Sequence, residues 1–212
     1  MVLTNEALAR EGYPPRTREE IHSYVGNGVK ALMYQAVPEG TGPEAAERAM
    51  ESWKALYHTY ANDLTKPYPH VRELVADLRE RGCKLGVLSN KFDEGVRQIM
   101  DQCLPGLFDV MHGEGPDIPR KPDPTGLLRT IRELGSTPER TVYVGDSPGD
   151  VRTARNAGTY AVAATWGYHD EGDFAAEGAE PDLMARSLLD LLALAPAPRA
   201  STAGETAPAS NE

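Results

Sequence analysis

The chain has 212 residues, 40% of them apolar and 25% charged, and its 32 acidic against 22 basic residues give a formal net charge of −10. These values suit one domain, or a core with a small inserted unit, and exclude collagen-like, wholly disordered and membrane-embedded classes. No run approaches the roughly 18 apolar residues of a spanning helix, no leader peptide is expected, and the basic footprint that displaces counterions from nucleic-acid phosphates is missing.

No nucleic-acid or membrane partner is therefore expected. Cys83 and Cys103 are too few for a disulfide scaffold and stand in apolar contexts. They read as reduced core thiols, and a cytoplasmic location is expected.

In chain order, the first 66 residues read as helical. Thr17 and Glu20 have the spacing of a capping box, followed by Ile21, Val25 and Val29. Gly26-Asn27-Gly28 interrupts that pattern. Pro43 suits a first helical turn. Ala46, Ala49, Met50, Trp53, Leu56, Tyr57 and Tyr60 then mark one face of a long helix, an aromatic stripe that reads as helix–helix core.

After Lys66-Pro67-Tyr68-Pro69 the pattern changes. Val71 to Leu78 predicts a helix ended by Gly82, and Leu85 to Leu88 a strand. Phe92 to Met100 predicts a helix, Phe108 to Met111 a weaker strand, and Leu127 to Leu134 a helix ended by Gly135. Thr141 to Val144 predicts a strand, Val151 to Ala157 a helix, Tyr160 to Ala163 a strand, and Leu183 to Leu194 a closing helix. Pro196 to Glu212, rich in Ala, Pro, Ser and Thr, reads as a disordered tail. Alternating strands and helices predict an α/β fold with a parallel sheet, in which ligands sit beyond the carboxyl ends of the strands.

Three segments lie at such ends. Ser89-Asn90-Lys91 offers a hydroxyl and an amide to an anion, or else caps a helix. Arg120-Lys121-Pro122-Asp123-Pro124 holds a lysine in a stiff loop, as a fixed positive charge or as a solvated side chain. Gly145-Asp146-Ser147-Pro148-Gly149-Asp150 sets two carboxylates around one turn. That spacing suits Mg2+, which takes few protein carboxylates, although an acid at position 150 also suits a helix's first turn. Together the three would neutralise a phosphoryl group and its metal. No nucleophile is evident among them.

These segments resemble motifs of the haloacid dehalogenase superfamily of aspartate-nucleophile phosphatases. Leu88-Ser89-Asn90-Lys91 resembles its second motif, Lys121-Pro122-Asp123-Pro124 its third, and Gly145-Asp146-Ser147 with Asp150 its fourth. The Asn90-Lys91 continuation, the Arg120–Pro124 loop and Trp166-Gly167-Tyr168 are similar to the phosphoglycolate phosphatase branch, and the segment with Gly26-Asn27-Gly28 resembles its small helical cap. The resemblance implies a Rossmann-like core over residues 67–194 carrying a helical cap over 1–66, with a tail over 195–212. It implies Mg2+ as cofactor and a small phosphorylated metabolite as partner, in a monomer or homodimer. Ser89 would bind the transferring phosphoryl group and Lys121 would bridge it to the attacking carboxylate. Asp146 would coordinate Mg2+, Asp150 would ligate it or hold its water shell, and Asn90 would be a lesser contact.

The family's first motif, an Asp-x-Asp ending a central strand ahead of the cap, has no counterpart in residues 1 to 66, where Asp63 stands alone. Covalent phosphoryl transfer needs that carboxylate, and the sheet would lose its central strand, leaving two inner edges unpaired. A start assigned too late or a truncated fragment is the simplest expectation. A non-catalytic descendant and another solution to the missing strand are the alternatives. Two functions follow: a Mg2+-dependent phosphatase impaired in this chain, or a phosphate- and Mg2+-binding module that catalyses nothing. Phosphosugar mutases and phosphonate hydrolases share the core; the latter need a cap lysine, for which Lys30 and Lys54 are available, although both read as solvated helix-surface residues. Among the histidines, none has metal-ligand spacing, and His22, beside Gly26-Asn27-Gly28, reads as a surface residue, with facing the crevice as the alternative.

Overall fold

The computed structural model describes residues 1–25, 28–59 and 65–197. Gly26, Asn27, Tyr60, Asp63 and all but the first residues of the expected tail lie outside them.

Four helices open the chain: α1 (Val2–Arg10), α2 (Arg18–Tyr24), α3 (Gly28–Ala36) and α4 (Pro43–Thr59). The capping box forms as expected. Glu20 N–H donates to Thr17 Oγ1 at 3.2 Å, and Thr17 N–H donates to Glu20 Oε2 at 2.7 Å. The stripe on α4 is a core, because Ala46, Ala49, Met50, Trp53, Leu56 and Tyr57 are all buried against Leu8, Ile21, Leu32 and Met33. Each large side chain so buried contributes about 1.5–3 kcal/mol, and truncating Trp53 to Ala would cost about 3–5 kcal/mol. Val25, expected on the same face as Ile21, is exposed, because α2 ends at Tyr24.

The remainder alternates. It runs α5 (Val71–Glu80), β1 (Gly86–Phe92), α6 (Asp93–Cys103), β2 (Val110–Glu114), α7 (Thr125–Glu133), β3 (Val142–Gly145), α8 (Pro148–Ala157), β4 (Tyr160–Ala164), α9 (Glu171–Ala176), β5 (Leu183–Ala185) and α10 (Leu188–Leu192). β1 continues past Leu88 through the polar residues to Phe92, with a register shift between Leu88 and Phe92. The second strand starts two residues later than expected. The helix expected over Leu183 to Leu194 is divided: Leu183-Met184-Ala185 pairs with β4 as a strand, and Ser187 caps α10 with Asp190. Cys83 is half-buried and Cys103 buried, and both are free thiols.

All strand pairs are parallel, and they form two sheets, β1-β2 and β3-β4-β5. Among the described residues β1 and β3 do not pair with each other. They share one helical layer nevertheless: Leu88 of β1 and Tyr143 of β3 both pack on Leu127, Ile131 and Ala157 of α7 and α8. The edge between them is open. Val142 and Val144 are 41% and 39% exposed, whereas Ala161 to Ala164 of β4 are at most 5% exposed. Paired on both sides, β4 is an interior strand, while β1 and β3 each pair with one strand only among the described residues. Among the described residues no helix is long and apolar enough to cross a membrane.

Candidate active site

The carboxyl ends of β1 and β3 meet through one loop. Asn90 Oδ1, at the end of β1, accepts the backbone N–H of Lys121 at 2.8 Å. Lys121 Nζ donates to Asp150 Oδ1, in the first turn of α8, at 2.6 Å. Residues 90, 121 and 150 are thus joined in one chain of contacts across the open edge. Asn156 Nδ2 donates to Pro122 O at 2.9 Å and ties the loop to α8, and the Lys121–Pro122 peptide is cis.

Asp150 is 4% exposed, yet its carboxylate is satisfied. Oδ1 also accepts the Tyr143 hydroxyl at 3.1 Å, and Oδ2 accepts the Ser147 hydroxyl at 2.6 Å. Ser147 caps α8, its Oγ accepting Asp150 N–H at 3.2 Å, and Pro148 fills the first helical position. The helix dipole adds to the preference for a carboxylate there. Burial, then the neighbouring Asp150 charge, pushes the Tyr143 hydroxyl well above its ordinary range, so it stays a proton donor.

Asp146 follows β3 and is gripped from the loop after β4. Its Oδ2 accepts Tyr168 N–H at 3.0 Å, and its carbonyl oxygen lies 3.0 Å from His169 Nδ1. Two glycines make room for the acids. A Cβ at Gly167 would overlap the Asp146 side chain, and one at Gly145 would overlap that of Asp150. Ser89 Oγ accepts Lys91 N–H at 3.1 Å, and its own proton has no acceptor among the described residues.

Among the described residues no group of three or more His, Cys, Asp or Glu side chains converges on one point. The two acids fit Mg2+, which is held by one or two carboxylates and keeps several waters. They are unequal, however. Asp150 is committed to Lys121, Tyr143 and Ser147, whereas Asp146 Oδ1 carries no hydrogen bond among the described residues. Of the two, Asp146 is the one that could hold a metal directly, while Asp150 holds the lysine.

Lys30 and Lys54 lie elsewhere, paired on the surface with Glu47 and Glu51. His22 does reach this end of the core, its ring 5.2 Å from that of Tyr168. Sequence reasoning missed Tyr143, Ser147 and His169 as partners of the acids. Only Ser147, three residues before Asp150, carried a readable capping signal.

A family model described as haloacid dehalogenase-like hydrolase matches residues 1–164. The phosphoglycolate phosphatase of Aquifex aeolicus is 34% identical over 166 residues, 78% of this chain and 75% of that protein. The phosphoglycolate phosphatase of Cereibacter sphaeroides strain KD131 is 36% identical over 197 residues, 87% of this chain and 89% of that one. The crystal structure of a predicted phosphoglycolate phosphatase from Haemophilus somnus superposes with a TM-score of 0.80 at 25% identity, covering 91% of this chain and 88% of that one.

Proposed function

The chain belongs to the haloacid dehalogenase-like hydrolase family, and from that premise we propose that its crevice binds a small, acidic phosphate monoester such as 2-phosphoglycolate together with Mg2+. The observation that carries this reading is the Asn90–Lys121–Asp150 chain of contacts, which fixes a largely buried ammonium on Asp150 at the ends of two strands.

Ser89 donates its free hydroxyl proton to one phosphoryl oxygen. Lys121, anchored by Asp150, places positive charge on another, and charge aimed where it develops in the transition state is the main means of accelerating phosphoryl transfer. Asp146, turned by Tyr168 N–H, offers Oδ1 to the cation. A bound Mg2+ supplies neutralisation of the phosphoryl oxygens. The four helices α1 to α4 act as a cap that excludes water.

The attacking carboxylate is the part these residues do not supply. Asp150 is spent on Lys121, and no Asp-x-Asp follows an apolar strand in residues 1 to 66. A strand seated between β1 and β3 would present one. We propose accordingly that this 212-residue chain binds the ester but turns it over weakly or not at all. The open edge of β3 also favours a second reading, a phosphate-binding protein without catalysis. The test is hydrolysis of p-nitrophenyl phosphate and 2-phosphoglycolate with Mg2+, by this chain and by one extended with an apolar strand ending in Asp-x-Asp. The phosphatase reading expects activity from the extended chain alone, and the binding reading expects it from neither. Robust turnover by the present chain, lost in Asp146→Ala, would overturn the nucleophile argument.

A further inference from the structure

Lys91 is a half-buried cation with no anionic partner among the described residues. Its backbone N–H rests on Ser89 Oγ, and its side chain runs from the end of β1 to the helices of the N-terminal unit. There its Nζ lies 4.6 Å from the centre of the Tyr57 ring, 5.6 Å from that of Phe92 and 5.9 Å from that of Trp53. The rings support one another, Trp53 stacking on Tyr57 at 5.3 Å and Phe92 meeting Tyr57 edge-on at 4.7 Å. Among the described residues no carboxylate is within ion-pair distance of Lys91, in a chain where acids outnumber bases 32 to 22. Burial pushes its ammonium below the ordinary lysine range.

A second unmet donor stands in the same cluster. Trp53 Nε1 is buried and has no hydrogen-bond partner among the described residues. Aromatic faces stabilise a cation but accept none of its hydrogen bonds in full, and a buried donor left unpaired is costly. Both donors belong to one aromatic cluster, and one of them is charged. Lysine's four-carbon stem lets the ammonium leave the rings for a ligand at the strand end.

We propose that Lys91, with the Trp53 indole N–H as second donor, recognises the carboxylate of a phosphate monoester whose phosphoryl group is held at Ser89 and Lys121. This assignment rests on the phosphate-site reading above and adds the residue that selects acidic esters. Two residues of extended chain separate Lys91 from Ser89, a span of about 7 Å, which limits the ester to a short one. Lys30 and Lys54 do not compete for this role, since both are paired on the surface.

The test is calorimetric titration of the full chain, in Mg2+, with 2-phosphoglycolate and with 2-hydroxyethyl phosphate, which keeps the skeleton and lacks the carboxylate. The wild type should bind 2-phosphoglycolate roughly tenfold tighter or more, the worth of one charge-assisted hydrogen bond. Lys91→Met should erase that preference and leave the affinity for 2-hydroxyethyl phosphate unchanged, and Lys91→Arg should keep part of it. In the wild type, the Trp53 indole N–H resonance should move downfield with 2-phosphoglycolate and not with 2-hydroxyethyl phosphate, a readout independent of how well the Met variant folds. If both esters bind equally, or the preference survives Lys91→Met, or the indole signal stays still, the assignment is wrong while the phosphate site stands. If neither ester binds the wild type, the phosphate site falls and the assignment falls with it.

Discussion

Lys121 Nζ stands 2.6 Å from Asp150 Oδ1, with 14% and 6% of the two side chains exposed. At that depth the pair's stability depends on both members being present. Removing one partner leaves an uncompensated buried charge and costs about 3–5 kcal/mol. Lys121→Met should therefore lower the unfolding free energy measured by urea titration by that amount, and adding Asp150→Asn should restore much of the loss. A Lys121→Met protein as stable as the wild type would show that the two groups are solvated separately.

Gly167 sets the position of the acid with a free oxygen. Because a Cβ there would overlap Asp146, Gly167→Ala should displace that carboxylate while the helices remain. Mg2+ at a hundred times its dissociation constant adds about 2.7 kcal/mol of stability. Thermal unfolding with and without Mg2+ should show this gain in the wild type, a smaller gain in Gly167→Ala, and none in Asp146→Asn. An equal gain in all three would place the metal elsewhere.

The divided sheet predicts a pattern of amide exchange. β4 is hydrogen-bonded on both sides, while β1 and β3 are each bonded on one. Alternate amides of β1 and β3 should exchange quickly, and those of β4 slowly. Uniform protection across Val142 to Gly145 would mean that the open edge is covered in solution.

Acid should destabilise the protein through particular carboxylates. Asp182 accepts Ala161 N–H at 2.7 Å and then pairs with Arg155, and both hold its carboxyl below the usual range. Asp109 is held down first by Leu85 N–H at 2.8 Å. A carboxyl whose folded value is depressed contributes stability that is complete above its unfolded value, about 3.9, and lost as pH falls through the folded one. Stability should thus decline below about pH 4, and Asp182→Asn should flatten the decline. No change in slope would remove Asp182 from the account.

The elements legible in the sequence were those with local chemistry. Thr17 and Glu20 announced α2, and the apolar stripe on α4 announced a buried face. The β5 strand was hidden because Leu183-Met184-Ala185 is short and runs into an apolar helix. Only the Ser187 cap divides them. The three strand-end segments were readable one by one, and Asn90, Lys121 and Asp150 do meet. Tyr143, Tyr168 and the Trp53 and Tyr57 rings near Lys91 were not readable as partners. Each contacts a residue far away in the chain or on another element, and such contacts leave no periodic trace.

The most direct test is binding of inorganic phosphate in the presence of Mg2+, followed by titration calorimetry for the wild type, Lys121→Met and Asp146→Asn. The account predicts saturable binding by the wild type that is lost in both variants, with folding of each confirmed by circular dichroism. Failure of the folded wild type to take up phosphate, or equal uptake by all three proteins, would contradict it.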